Sequence, residues 1–235
     1  MAPCIQTVER IDIRVDDHPW DFARDRRDEI DAYFAEKQTA NPALWNGRML
    51  LSRAPSVRDC VLTGTCFETD FASFLAWRDW GFPDPQVANV FAQGALRTAD
   101  CAFLLGVMGA HTANAGRIYF PSGTPERADI VDGRLDLAGS LMRELAEETG
   151  LTAADVTPAE HWTAVIDGPR VALIRIVAAA GAAEALAARI TESVAADHHA
   201  ELAGLHIARS PADITPAMPP FIAAYLRHIW AGEGS

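Results

Sequence analysis

Apolar and polar positions alternate over residues 5–15, with Ile5, Val8, Ile11, Ile13 and Val15 apolar, and this period of two predicts a half-buried strand. Residues 21–38 set Phe22, Ile30, Tyr33 and Phe34 at helical spacing among charges, predicting an amphipathic helix that ends at Asn41-Pro42. Asn46-Gly47 marks a turn before a strand at Met49–Ser52, and residues 57–67 form the second arm of a hairpin. A helix over 70–80 follows, with Asp70 as N-cap and Gly81 and Pro83 as its stop; its aromatic residues belong to a core. Residues 87–98 fit either a short helix or a linker, which places a soft domain boundary near Gly94. The chain is thus divided into an α+β extension, 1–95, packed on a second domain, 96–235.

Beyond the boundary, strands are expected at Cys101–Met108 and Arg117–Phe120, the second ending at Pro121-Ser122-Gly123. A polar loop over 124–135 leads to a helix over 136–149. Strands at Val156–Ile166 and Val171–Ala178 are joined by the Asp167-Gly168-Pro169 turn. An alanine-rich helix over 182–194, a strand at Leu202–Ala208 and a helix at Ala217–Trp230 capped by Gly232 complete the pattern. Strands interspersed with helices imply an α/β or α+β sandwich.

Composition sets limits on this picture. The 235 residues are 49% hydrophobic, enough to fill a core without staples. Cys4, Cys60, Cys66 and Cys101 show no CxxC or zinc-ligand spacing and are expected to be reduced core thiols. The N-terminal segment carries acids and no long apolar run, and no stretch of about 18 apolar residues occurs, so a soluble, cytoplasmic protein is expected. With 20 Lys+Arg against 32 Asp+Glu, the net charge of −12 repels polyphosphate backbones, which argues against nucleic acid as a partner. A small phosphorylated substrate needs local arginines or a metal against that field.

Candidate chemistry concentrates in the helix over 136–149. Leu137, Leu141 and Leu145 form one face, while Glu144, Glu147 and Glu148 fall within roughly 100° of one another on another face. Like charges at this spacing call for open solvent or a cation, and Mg2+ or Mn2+ takes such carboxylate oxygens together with waters and substrate phosphates. Arg143 and Glu147, at i and i+4, are spaced to pair, and Gly150 suits a left-handed C-cap.

Arg143-Glu144-Leu145, Glu147-Glu148 and Gly150-Leu151 match without a gap the second half of the signature of the Nudix hydrolases, which this segment resembles. The signature opens with a glycine 14 residues before the arginine; the candidate here, Gly123, lies 20 before Arg143, so six residues are inserted. Six residues on from Gly123 is Asp129, and eight back from Arg143 is Leu135. Glu126, Asp129, Asp132 and Asp136 therefore compete for the first acidic position, with Asp136 preferred for proximity and a helix cap as its alternative role. The resemblance implies a Nudix fold, an α/β/α sandwich with a mixed sheet, over roughly 98–215. It further implies hydrolysis of a nucleoside diphosphate linked to another moiety, with Glu144, Glu147 and Glu148 as metal ligands. Glu147, Glu148 and Arg143 are the expected catalytic group, and the general base stays open between the cluster and a distal acid.

In the segment Asp-His-His-Ala-Glu-Leu at 197–202, Glu201 or Asp197 is the candidate distal acid; His198 and His199 are candidate substrate contacts, and solvated loop residues are the alternative. Arg117, Gly123 and Arg97 are candidate substrate-binding residues, and Trp45, Arg48 and Phe67 join Arg97 as candidates for a nucleoside pocket. The stretches LWNGRMLLSRA, LTGTCFETDFASFLAWRDWG and ALRTADCAFLL resemble the Nudix branch that contains the animal UDP-glucose pyrophosphatase. That branch implies cleavage of a nucleotide sugar such as UDP-glucose to UMP and a sugar 1-phosphate. The alternatives are ADP-ribose or a dinucleotide as substrate, or a non-catalytic module that senses a nucleotide.

Overall fold

The alternation over residues 5–15 is divided between two strands that enter different parts of the sheet. In the computed structural model, which describes residues 2–16, 18–196 and 200–233, β1 (Cys4–Val8) pairs antiparallel with residues 162–166, and β2 (Arg10–Val15) runs parallel to residues 61–66. The change occurs at Glu9, where the N–H groups of Glu9 and Arg10 both donate to the Cys60 carbonyl, at 2.8 and 3.2 Å.

The segment predicted as one helix is two, α1 (Asp21–Asp25) and α2 (Arg27–Ala40), broken at Arg26 with φ −115°. The predicted hairpin is β3 (Arg48–Arg58) and β4 (Val61–Asp70), turned by Asp59 and Cys60, both at positive φ (49° and 57°) as a two-residue hairpin turn requires. Asp70 caps α3 (Phe71–Asp79), accepting from the Ser73 N–H at 2.8 Å. Trp20, Phe67, Phe74 and Trp77 form the core beneath it.

Residues 87–97, expected as a helix or linker, are instead β5 (Val87–Arg97), and this corrects the reading. The strand pairs in parallel with residues 170–178 and touches β3 at Ala88, so the boundary drawn at 95/96 falls inside it. Val90, Ala92 and Leu96 face one core, while Phe91 and Ala95 face another. A strand covered on both faces shows no alternation, and its Asn, Gln, Gly and Ala lower its apparent strand propensity.

There follow β6 (Phe103–Met108), β7 (Ile118–Tyr119) and β8 (Ser122–Gly123). The polar loop folds into a 3-10 turn (Arg127–Asp129) and a short hairpin, β9 (Ile130–Val131) and β10 (Arg134–Leu135). The acidic helix is α4 (Leu137–Thr149). The stretch 156–166 is two strands, β11 (Val156–Pro158) and β12 (Trp162–Asp167), which meet different parts of β13 (Arg170–Ala179). The chain then forms α5 (Ala183–Ala195), β14 (Leu202–Ala208) and α6 (Pro220–Glu233); Gly232 lies inside α6 and does not cap it, a second correction.

Fourteen strands form one mixed sheet among the described residues. Leu137, Leu141 and Leu145 of α4 and Ile190 of α5 pack on one face, with Leu173 and Val177; Tyr225 and Leu226 of α6 pack on the other, with Phe91 and Ile174. The protein is therefore a mixed α/β sandwich. No described helix is long and apolar enough to cross a membrane. Of the four cysteines only Cys66 is buried; Cys4 and Cys101 are exposed, so the expectation of four core thiols is corrected.

Candidate active site

Both ends of α4 are fixed by local chemistry. Asp136 accepts from the N–H groups of Ala138 and Gly139 (3.2 and 3.0 Å), satisfying donors that have no partner within the helix. Gly150 ends the helix at φ 71°, in the left-handed region, and donates to Ala146 O at 2.8 Å. Between them the buried leucines orient the helix, so the rotational position of its glutamates follows from the core.

Arg143 organises the polar side of the helix. Its Nη2 donates to both oxygens of Asp129 (3.1 and 3.0 Å), and its Nη1 reaches Glu144 at 2.6 Å and Glu147 at 3.4 Å. The predicted Arg143–Glu147 pair forms, but it is the longest of these contacts. Asp129 is 5% exposed and also accepts from Ser140 Oγ (3.2 Å) and the Glu126 N–H (2.9 Å).

Among the competing acids, Asp129 is the one that pairs with Arg143. Asp129 stands six residues after Gly123, and the extra six residues are the hairpin 130–135, turned by Asp132 and Gly133 at φ 49° and 72°. The hairpin is closed at its base by the Asp136 N–H donating to Asp129 O (2.7 Å) and docked on β2 through Val15 N–H to Gly133 O (3.0 Å). Asp136, preferred as a metal ligand from the sequence, takes the alternative role as a helix cap, about 12 Å along α4 from Glu144.

The acidic end of the site lies where α4 meets β8. Glu148 accepts from the Ser122 N–H at 3.3 Å, and Glu144 lies so close to Gly123 that an added Cβ would meet its carboxyl carbon at 2.0 Å. Burial pushes the Glu148 carboxyl up to about 8, with the charges of Glu201, Glu144 and Glu147 acting in the same direction against the Ser122 hydrogen bond. Burial likewise pushes Glu144 up to about 7, opposed by Arg143 and assisted by Glu147. Glu147 is exposed on the flank of the pair.

Arg143 pairs with Glu144 and Glu147 but not with Glu148, and the carboxyl oxygens gathered here are of the kind a hard divalent cation takes. As the side chains are placed, no three His, Cys, Asp or Glu groups among the described residues converge to ligating distance, and Glu144 is hydrogen-bonded by Arg143. Glu144 and Glu148 lie against Gly123 and Ser122, with Glu147 on the exposed flank and Glu201 on the cleft wall.

A cleft of about 990 Å3 opens from this end. Gly123, Arg117 and Glu201 all line it. Arg97 does not: it ion-pairs with Glu233 at 2.6 Å and lies over Phe103, tied to α6, so its substrate role is corrected. Arg48 pairs with Glu68, and Phe67 is core under Arg53. Trp45, 81% exposed, stands on the cleft rim. Asp197, His198 and His199 lie outside the described residues.

Sequence reasoning passed over several cleft residues. Arg78 arrives from the end of α3, Arg170 from the start of β13, and Asn89 and Gln93 from β5. Gln93 is 1% exposed and donates to Ser122 Oγ at 3.0 Å. Tyr119 lines the same cleft; burial holds its hydroxyl above the usual range, and Arg117, Glu148, Arg78 and Glu201 all act on it electrostatically. The signal available for Arg78 was a cation closing an otherwise buried helix.

No family model matches the chain, and no curated protein is similar to it. Solved structures similar to it include a Nudix hydrolase from M. smegmatis, RenU, at 16% identity over 62% of this chain and 84% of that one, TM-score 0.39. A MutT protein from Methanosarcina mazei matches at 16% identity over 63% and 96%, TM-score 0.40. A variant of the Bacillus subtilis pyrophosphohydrolase BsRppH matches at 16% over 58% and 68%, TM-score 0.29. With TM-scores below 0.5, the functional reading rests on the residues of the site.

Proposed function

We propose that this chain is a hydrolase of the Nudix type that cleaves the pyrophosphate of a nucleoside diphosphate derivative. The observation that carries this reading is the pair Glu144 and Glu148 held against Gly123 and Ser122 at the head of a cleft that arginines also line. The cation the acids fit is Mg2+ or Mn2+, which when bound neutralises phosphate charge and lowers the pKa of a water in its shell.

The protein's own groups have distinct tasks. Arg143, anchored by buried Asp129, sets the direction of the Glu144 carboxylate. The Ser122 N–H does the same for Glu148, and Gln93 holds the Ser122 side chain beside it. Arg117 lines the cleft near Tyr119, where its guanidinium group offsets the charge of a pyrophosphate that the −12 chain otherwise repels. The Trp45 ring at the rim offers a stacking surface for a base or sugar.

A nucleotide sugar such as UDP-glucose is the first substrate class to test, ahead of ADP-ribose and dinucleotides; the support for that order is the resemblance of the first hundred residues to the sugar-cleaving branch. Purified protein with Mg2+ is expected to release a nucleoside monophosphate from at least one compound of such a panel. Release from none would overturn the hydrolase reading, and ligand-induced thermal stabilisation without metal or product would point to a nucleotide-sensing module.

A further inference from the structure

The cleft has a second charged end. On β5, Gln93 stands opposite Ser122 beside the acidic helix, whereas Asn89 stands opposite Arg170 of the neighbouring parallel strand. Four residues of strand place these ends roughly 13 Å apart. Two arginines reach the far end from different elements, Arg78 from α3 and Arg170 from β13.

Their surroundings differ. Arg78 keeps a carboxylate partner, its Nε lying 2.7 Å from Asp79 Oδ1. Arg170 lies over the Phe82 ring, 5.0 Å from its centroid, and among the described residues no carboxylate pairs with its guanidinium and no acceptor takes its N–H groups. Asp167 acts on it only through space. Burial, together with the like charge of Arg78, holds its pKa below the usual arginine range. Beside it the buried Asn89 Oδ1 also has no partner, and a half-turn of that amide brings donor Nδ2 to the same place. A half-buried guanidinium is stable there at the lowest cost when an oxyanion completes its planar fork of donors.

We propose that Arg170, with Arg78 and Asn89, forms a second oxyanion subsite, which binds a carboxylate or phosphate on the part of the substrate remote from the pyrophosphate. The inference rests on the pyrophosphatase reading and narrows its substrate class. Nucleoside diphosphate derivatives that carry an additional anionic group are preferred over their neutral counterparts. The subsite also gives β5 a functional meaning: the strand that carries Gln93 at the acidic end carries Asn89 at the basic end, so its rigidity sets the length of substrate spanned.

Two matched pairs test the subsite and separate its sources, UDP-glucuronate against UDP-glucose for a carboxylate and NADPH against NADH for a phosphate. Each is assayed with Mg2+ on the wild type, Arg170→Gln, Arg170→Lys and Arg78→Gln. The wild type is expected to favour the charged member of at least one pair by about tenfold in kcat/KM, as a charge-assisted contact provides. The ratio should fall toward one in Arg170→Gln and recover in part in Arg170→Lys, which keeps the charge without the fork.

Calorimetric Kd values for the same compounds in EDTA supply a readout independent of turnover, with the same order expected. Ratios near one in both pairs for the wild type, or ratios unchanged in both Arg170→Gln and Arg78→Gln, would overturn the subsite. If none of the four compounds is cleaved, the hydrolase reading is contradicted for them, and the metal-free Kd comparison still decides the subsite: tighter binding of a charged member, lost in Arg170→Gln, supports it, and equal binding overturns it.

Discussion

Replacing Asp129 by alanine removes an acceptor shared by Arg143, Ser140 and the Glu126 N–H, at a site 5% exposed. Removing one partner of a fully buried ion pair costs about 3–5 kcal/mol. Arg143 is 32% exposed and retains Glu144 and Glu147, so its share falls well below that range. The two further donors left without an acceptor add roughly 1 kcal/mol each, for a total near 3 kcal/mol. Alanine at Asp136 removes only an exposed N-cap, at about 1 kcal/mol. In a chain of this size each kcal/mol lowers Tm by roughly 2–4 °C, which predicts a loss of about 6–12 °C for Asp129→Ala against 2–4 °C for Asp136→Ala. Scanning calorimetry in metal-free buffer measures both. An Asp136→Ala loss equal to or larger than that of Asp129→Ala would refute the assignment of Asp129 as the anchoring acid. With Asp129 gone, Arg143 loses the partner that shares its charge with Glu144 and Glu147, so the variant is expected to need more Mg2+ for half-maximal activity.

Two further outcomes follow from the acidic end. In Gly123→Ala the new methyl displaces the flexible end of Glu144, so Tm should change by only about 2–3 °C while kcat/KM falls at least about tenfold; retained activity would mean that the Glu144 position is unimportant. The Glu148 carboxyl titrates at about 8 in the folded state against 4.5 unfolded, so between these values the folded protein binds more protons than the unfolded chain, and stability falls as pH rises. Thermal midpoints in EDTA should therefore decline between pH 5 and pH 8, less steeply in Glu148→Gln, and Mg2+ should flatten the decline by replacing the proton. An EDTA slope identical in wild type and Glu148→Gln contradicts the burial of that charge.

Much of α4 was legible in the sequence because its determinants are local: an Asp cap, leucines every fourth residue and a terminal glycine. β5 was hidden because its two buried faces erase the period that marks a strand, and because its partner Arg170–Ala178 lies some 80 residues away, where no local pattern reports it. The inserted hairpin carried a readable turn, Asp132-Gly133, but its two-residue strands are too short for periodicity, and so the link between Asp129 and Arg143 stayed out of sight. Which arginines face the cleft was a tertiary matter: Arg97 is drawn to Glu233, whereas Arg78, read only as part of the helix over 70–80, lines the cleft. Trp45 was selected from its residue type alone, and its place on the rim depends on the loop before β3.

The most direct test of the central claim is 31P NMR of a nucleotide sugar incubated with the protein and Mg2+. The account predicts that the coupled pyrophosphate resonances are replaced by two phosphomonoester signals, that EDTA stops the conversion, and that Glu144→Gln and Glu148→Gln slow it at least about a hundredfold while their Tm stays at or above that of the wild type without metal. Cleavage at wild-type rates in both variants, or pyrophosphate signals that persist for every compound of the panel, would contradict it.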